Sequence, residues 1–223
     1  QLEPIKDLKI DLNANYEKSD RTEVQYMYEG SPKTMGGSFS MTTVAISTAL
    51  RSSNAKNDYY SAAFEKFLSN RSTIANRLEG KYAGVKYPTG GFIGENGLIL
   101  PPTYDPTIAS VDPNSADVLI PAFLAAYTGR DANSISLSAF PSLLSLLPNW
   151  SVSFDGLTNI PFIKEKFKNL RLTHAYTCFY QVSDYTSHSG WLDAGGDVLG
   201  FISDILSGVP VPSSPNNISA VNI

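Results

Sequence analysis

From Leu8 to Tyr16 apolar and polar positions alternate without a break. Leu8, Ile10, Leu12, Ala14 and Tyr16 hold the even positions, and Lys9, Asp11, Asn13 and Asn15 the odd ones. A period of two places these sets on opposite faces of a β-strand; no helix could bury the even set on one side. The parity returns at Val24, Tyr26 and Tyr28, which predicts one long strand from Leu8 to Tyr28. Glu29–Lys33 has the composition of a turn. A second run, Gly37 to Leu50, carries Phe39 and Met41 on one face and then shifts to Val44 and Ile46, as a β-bulge near Thr42-Thr43 would make it. Residues 1–50 thus read as one long hairpin.

The period changes over residues 51–148, which read as a helical and loop insert, a cap or a lumen element. Asp58 is positioned to cap a helix running to about Leu78, with Tyr60, Phe64, Phe67, Leu68, Ala75 and Leu78 at helical spacing. A second helix is predicted from Ala116 to Tyr127, capped by Ser115 and closed by Gly129, with Pro121 inside it. Ser136–Leu147 suits a short helix. Alternation resumes at Trp150, Val152 and Phe154. It returns after a connection at Gly156–Asn169 in the run Leu170, Leu172, His174, Tyr176, Cys178, Tyr180 and Val182, so residues 149–183 form a second hairpin. Residues 184–216 read as a loop with an amphipathic helix at Leu192–Leu206, and 217–223 as the start of a further strand. The Glu29–Gly36 and Gly156–Asn169 connections are expected at one end of the sheet, and the insert at the other.

Four long strands and a stub cannot close a barrel, because about eight is the smallest number that closes. Strands of such length exceed the usual five or six residues, whereas membrane strands need about nine to eleven. The expected fold class is therefore all-β with a helical insert: a segment of a very large antiparallel transmembrane β-barrel. A soluble β-rich adhesin or binding module, with the insert covering its apolar face, is the alternative. Composition adds exclusions. One cysteine and two histidines cannot supply a structural zinc site, and a net charge of −4 without a basic cluster leaves no footprint for nucleic acid. Residues 1–15 hold no initiator Met and no leader pattern, as expected of a mature product or an internal piece. No nucleophile, acid–base pair or phosphate cradle emerges, since the glycines of Thr89–Gly94 lack the strand and helix such a cradle needs. Neither an enzyme nor a cofactor is expected.

The candidate functional surface is the apolar strand face: Leu8, Ile10, Leu12, Tyr16, Trp150, Val152, Phe154, Leu170, Leu172, Tyr176 and Tyr180. It would meet lipid or packed protein, with the polar odd face towards a lumen. Phe162, Ile163, Lys164, Lys166 and Phe167 form a candidate interfacial turn, apolar on one side and ringed by lysines.

Four stretches carry a resemblance: Asp117–Asp131 (DVLIPAFLAAYTGRD), Ile135–Pro141, Leu147–Phe162 and Phe167–Tyr176. In order and spacing, residues 115–183 resemble the SprA/Sov family, the giant outer-membrane proteins of the type IX secretion system of Bacteroidota. The helix motif is carried by Asp117, Leu119, Ile120, Pro121, Phe123 and Tyr127. The resemblance implies a single-chain barrel of about 36 strands, the largest class known, that conducts folded cargo proteins across the bacterial outer membrane. It further implies a PorV-type barrel protein at a lateral opening and a periplasmic plug protein. Full members are many times longer, so the chain reads as one segment of such a barrel.

Overall fold

The computed structural model describes residues 1–24, 26–27, 33–49, 58–88, 99–196 and 198–223. The chain opens with β1 (Leu2–Ile5), β2 (Leu8–Asn13), β3 (Tyr16–Glu23) and β4 (Thr34–Thr42). Helices α1 (Ile46–Ala49), α2 (Ala62–Tyr82) and α3 (Ala116–Thr128) follow. Next come β5 (Asn149–Phe154), α4 (Pro161–Lys166), β6 (Leu172–Tyr176) and β7 (Phe179–Ser187). The last elements are β8 (Leu192–Asp193), β9 (Gly200–Ser203), β10 (Pro210–Ser213), β11 (Asn216–Ile218) and β12 (Val221–Asn222). All strand pairings are antiparallel, in the orders β1-β2-β5-β6, β3-β4-β7-β11 with β12 also on β7, and β8-β9-β10.

The first two sheets are the two halves of one ribbon, as their register shows. On one flank Asn13 pairs with Asn149 and Tyr16 with Met41, and the Thr42 N–H donates to the Asn15 carbonyl at 2.9 Å between them. On the other, Trp150 pairs with Tyr176 and Thr42 with Phe179. There the Thr43 N–H reaches the Cys178 carbonyl (3.2 Å), and the Cys178 N–H reaches Asn149 Oδ1 (2.9 Å). β4 and β5 therefore lie end to end in a single column between β2-β3 and β6-β7. The chain leaves that column at Thr43 and returns where it left, the Leu147 N–H donating to the Thr42 carbonyl at 3.4 Å. The insert thus interrupts a strand in mid-length, and the sheet is an up-and-down meander with consecutive strands as neighbours.

Several expectations are corrected by this register. The register between the two hairpins, which alternation leaves open, puts them in a shared column. The turn after Glu23 lies at the β3 end of the ribbon and the 155–171 connection at the β2 end, so the two are at opposite ends, not one. The first strand breaks at Ala14-Asn15 and ends at Glu23, leaving Val24 and Tyr26 outside it; the last breaks at Thr177-Cys178, and Leu170 precedes it. The shift of face after Met41 marks the exit into the insert and α1, not a bulge within a continuing strand. Ser61, not Asp58, caps α2, its Oγ accepting from the Phe64 N–H at 3.3 Å. Ser136–Leu147 holds only a 3₁₀ turn at Leu143–Ser145. Leu192–Leu206 forms β8 and β9 instead of a helix, because Gly195, Gly196 and Val198 all take positive φ, which no helix accommodates. Tyr28, most of the Glu29–Lys33 turn, Leu50 and Thr89–Gly94 lie outside the described residues.

The upper half of the ribbon (β3, β4, β7) has an ordinary two-layer core. Phe39, Met41, Tyr180, Val182 and Tyr185 point from the sheet, and Ile74, Leu78, Val118, Ile120 and Leu124 meet them from α2 and α3. α3 is buried almost all round, which suits its lack of charge beyond Asp117; its ends are set by Ser115 and by Gly129 at φ 73°. Arg77 on α2 fixes the loop behind α3 by donating to the carbonyls of Ala132 (2.6 Å) and Ile135 (2.9 Å). Phe201 from β9 fills an aromatic nest of Tyr82, Tyr87 and Tyr104. The Tyr180 hydroxyl donates to the Ala139 carbonyl at 2.7 Å, and that of Tyr185 to Asp20.

Burial pushes the Tyr82 pKa up to about 12 and lifts those of Tyr104, Tyr180 and Tyr185 above the usual tyrosine range. A raised acid keeps its proton in the folded state, so its contribution is complete below pH 10 and is lost as pH rises through the folded value. Alkaline titration followed at 295 nm should show the exposed tyrosines ionising first. The buried four should appear only together with loss of the near-UV circular dichroism signal.

Candidate functional site

The lower half of the ribbon has the same alternation and, among the described residues, no cover. Paired residues share a face, so Leu2 lies with Ile10, Ile5 with Leu8, and Leu12 with Trp150 and Tyr176. Ile10, Val152 and His174 form the middle row, and Leu8, Phe154 and Leu172 the bottom one. The result is an apolar plate four strands wide. At strand spacings of about 4.8 Å and rises of about 3.3 Å per residue it measures roughly 15 Å each way. Leu2 (57%), Ile5 (59%), Leu12 (54%) and Leu172 (60%) are more than half exposed, and Leu8, Ile10, Trp150, Val152 and Phe154 are half-buried by one another. Lys9, Asp11, Asn13, Ser151 and Thr173 stand exposed on the opposite face. A contiguous apolar surface of this kind is a candidate site of contact with a partner or a membrane.

Aromatic stacking organises the top row. Trp150 lies flat on Tyr176, with ring centroids 4.6 Å apart and planes 20° apart, and its indole N–H donates to His174 Nδ1 at 3.2 Å. His174 is exposed and serves the tryptophan as an acceptor. The Tyr176 hydroxyl accepts from the Ala45 N–H at 2.7 Å, where the chain departs into the insert. This contact puts the plate and the insert on the same side of the ribbon. Tyr16 and Tyr180, further along that face, are covered: Tyr16 packs edge-on against Phe39 (5.3 Å), and Tyr180 is buried in the core.

Below the plate, Arg171 grips Asp155 with two hydrogen bonds (2.5 and 3.0 Å), tying the two ends of the 155–171 connection together. A Cβ at Gly156 would meet the Phe154 ring at 2.6 Å, so a larger residue there would push that ring aside. α4 turns outward: Phe162 (66%), Phe167 (51%) and Ile160 (46%) are exposed, Ile163 is half-buried, and Lys164, Lys166 and Lys168 surround them. The Lys166 ammonium sits over the Phe162 ring at 4.8 Å.

The helix motif singled out in the sequence does not join this surface. Asp117 accepts from the Ser214 N–H (2.9 Å), Ile120 and Pro121 are buried, and Leu119 and Phe123 border a 240 Å³ groove against Ile218–Val221. Tyr127 stacks on Phe123 at 4.5 Å. Strand β1 was absent from the sequence reading, although Leu2 and Ile5 extend the plate; the Lys6-Asp7 step, with Asp7 at φ 68°, is the turn that brings β1 back onto β2. Among the described residues no helix is long and apolar enough to cross a membrane, and no three His, Cys, Asp or Glu side chains gather as a metal site. No family model matches the chain, and no curated protein does either.

An uncovered plate should bind an apolar dye such as 1-anilinonaphthalene-8-sulfonate. Replacing Leu12, Val152 and Leu172 together by lysine is expected to abolish most of that fluorescence. The unfolding free energy of the upper core measured in urea should stay within about 0.5 kcal/mol of the parent for each exposed position.

Proposed function

We propose that this chain is a piece of the wall of a large outer-membrane β-barrel that conducts folded cargo proteins, as its resemblance to the SprA/Sov family implies. The observation that carries the reading is the apolar plate on a meander whose edges are open: among the described residues β1 and β6 each pair on one side only. In water, such edges and such a face promote aggregation. In a barrel the edges continue into neighbouring strands, the plate meets lipid, and the polar face lines the lumen. Only closed barrels and helices satisfy every backbone group in a bilayer.

The reading assigns sides. The insert covers the same face as the plate, so it rests on the outside of the wall as a shoulder and is not a lumen element. The two-residue Lys6-Asp7 turn lies at the α4 end and the long 188–215 connection at the other; bacterial barrels keep their short turns in the periplasm, which makes the α4 end periplasmic and the insert extracellular in this reading. The partners are the rest of the barrel at the two edges, lipid at the plate, and folded cargo along the polar face. A PorV-type barrel protein at a lateral opening and a periplasmic plug complete the assembly.

One observation favours a second reading. The plate is about 15 Å tall, short of the roughly 25 Å apolar band of an outer-membrane barrel, and the upper half packs like an ordinary α+β domain. A soluble β-rich adhesin or binding module would use the plate to hold a protein partner.

Arginine substitutions on the two faces separate these readings. In the membrane-embedded native polypeptide, Val152→Arg should cost about 2–4 kcal/mol of folding stability, while Ser153→Arg on the opposite face should be nearly neutral. Equal tolerance of both, or recovery of the native polypeptide from a soluble fraction at about 24 kDa, would count against the barrel.

A further inference from the structure

The α4 connection is built for a charged surface of one sign. Between Ile160 and Arg171 stand Lys164, Lys166, Lys168 and Arg171 against Glu165 alone, and the nearby Asp155 is already engaged by Arg171. All three lysines are exposed and none makes an ion pair among the described residues. Beside them Ile160, Phe162 and Phe167 project their rings and methyls outward, on the connection that follows Phe154 and precedes Leu172 at the lower rim of the plate. Apolar side chains that enter an acyl boundary, flanked by ammonium groups on long stems that stay among headgroups, are the arrangement of an interfacial anchor. Pro161 starts the helix and the Phe167 N–H closes it onto the Ile163 carbonyl at 2.8 Å, so the turn has a defined shape before it meets any surface.

We propose that the 160–168 turn is a docking site for anionic phospholipid headgroups, with Lys164, Lys166 and Lys168 contacting the phosphates and Phe162 and Phe167 inserted between the acyl chains. This rests on the membrane reading of the plate and adds a lipid class to it. The turn fixes how deep the wall sits, because it marks the lower boundary of the apolar band and extends the plate by the height of one helical turn. Lys166 has a double role, since its position over Phe162 holds that ring for insertion.

Flotation of the full chain with lipid vesicles tests the proposal, because aggregated protein pellets while vesicle-bound protein rises. Vesicles of phosphatidylcholine alone are compared with vesicles containing 30 mol% phosphatidylglycerol, a fraction chosen to give roughly the anionic charge of a bacterial leaflet. The parent chain should float with the anionic vesicles more than tenfold better. Each lysine near such a surface is worth about fivefold, so the variant K164Q/K166Q/K168Q should lose up to about a hundredfold. F162S/F167S should lose binding to both vesicle types while keeping some charge preference. Matching circular dichroism spectra of the variants exclude misfolding as the cause. Flotation that is equal on the two vesicle types and indifferent to the lysines overturns the headgroup site while leaving the plate's contact with lipid intact. Failure to float with either vesicle overturns both. High salt should remove the anionic preference, and its persistence at 1 M salt would contradict a phosphate–lysine origin, since screening there acts over about 3 Å.

Discussion

An antiparallel ribbon with one apolar face needs that face covered along its whole length, and in this chain the cover stops halfway. Above the Thr42–Asn149 junction, α2 and α3 lie on Phe39, Met41, Tyr180 and Val182 and leave them almost without solvent contact. Below it the same face continues through Leu12, Ile10 and Leu8 with nothing over it among the described residues. At about 25 cal/mol per Å², exposing such side chains forgoes about 1.5–3 kcal/mol for each one that could be buried. A chain that leaves a whole plate in this state is shaped for a contact outside itself. The proposed function rests on that imbalance, and the lysine-ringed turn beneath the plate is what supports lipid as the proposed contact.

The junction makes the two halves compatible. An insert of about a hundred residues enters and leaves through neighbouring positions of one strand column, and its closure costs little more entropy than a shorter loop would, since the cost grows only with the logarithm of length. Thr42, Asn149 and Cys178 pass the ladder across the break: Thr42 bonds to Asn15, Asn149 to Cys178, and Leu147 back to Thr42. Asn149 is buried and uses its side-chain oxygen where a strand would have offered a carbonyl. A sheet can therefore carry a folded lobe on one side without losing register. In a barrel wall this would hang the lobe outside the pore, so that it would not obstruct passage.

The local patterns were legible in the sequence. Period-two alternation marked the strands at Leu8–Tyr16, Trp150–Phe154 and Leu172–Val182, and the Ser115 and Gly129 signals bounded α3. What alternation cannot carry is which distant segments share a column, because that depends on pairings between residues more than a hundred positions apart, such as Leu12 with Trp150. Two separate hairpins and two connections at one end were the natural expectation from sequence order; the register places β4 and β5 in line and the connections at opposite ends. The helix expected at Leu192–Leu206 failed for a local reason, the left-handed backbone at Gly195, Gly196 and Val198. The plate residues were identifiable, but the extent of their cover was not. Tyr16 and Leu12 share one parity, yet one is packed against Phe39 and the other stands free.

Nitroxide scanning of the native polypeptide in bilayers tests the central claim most directly. Single labels at residues 9–12 and 150–154 are measured for collision with oxygen, which concentrates in lipid, and with a water-soluble nickel chelate. Lipid contact of the plate requires a period of two, with oxygen favoured at Ile10, Leu12, Val152 and Phe154 and nickel at Lys9, Asp11, Ser151 and Ser153. Labels at Ile10 and Val152 that meet nickel as readily as those at Lys9 and Ser153, or that meet neither collider, would contradict it, placing the plate in water or against protein.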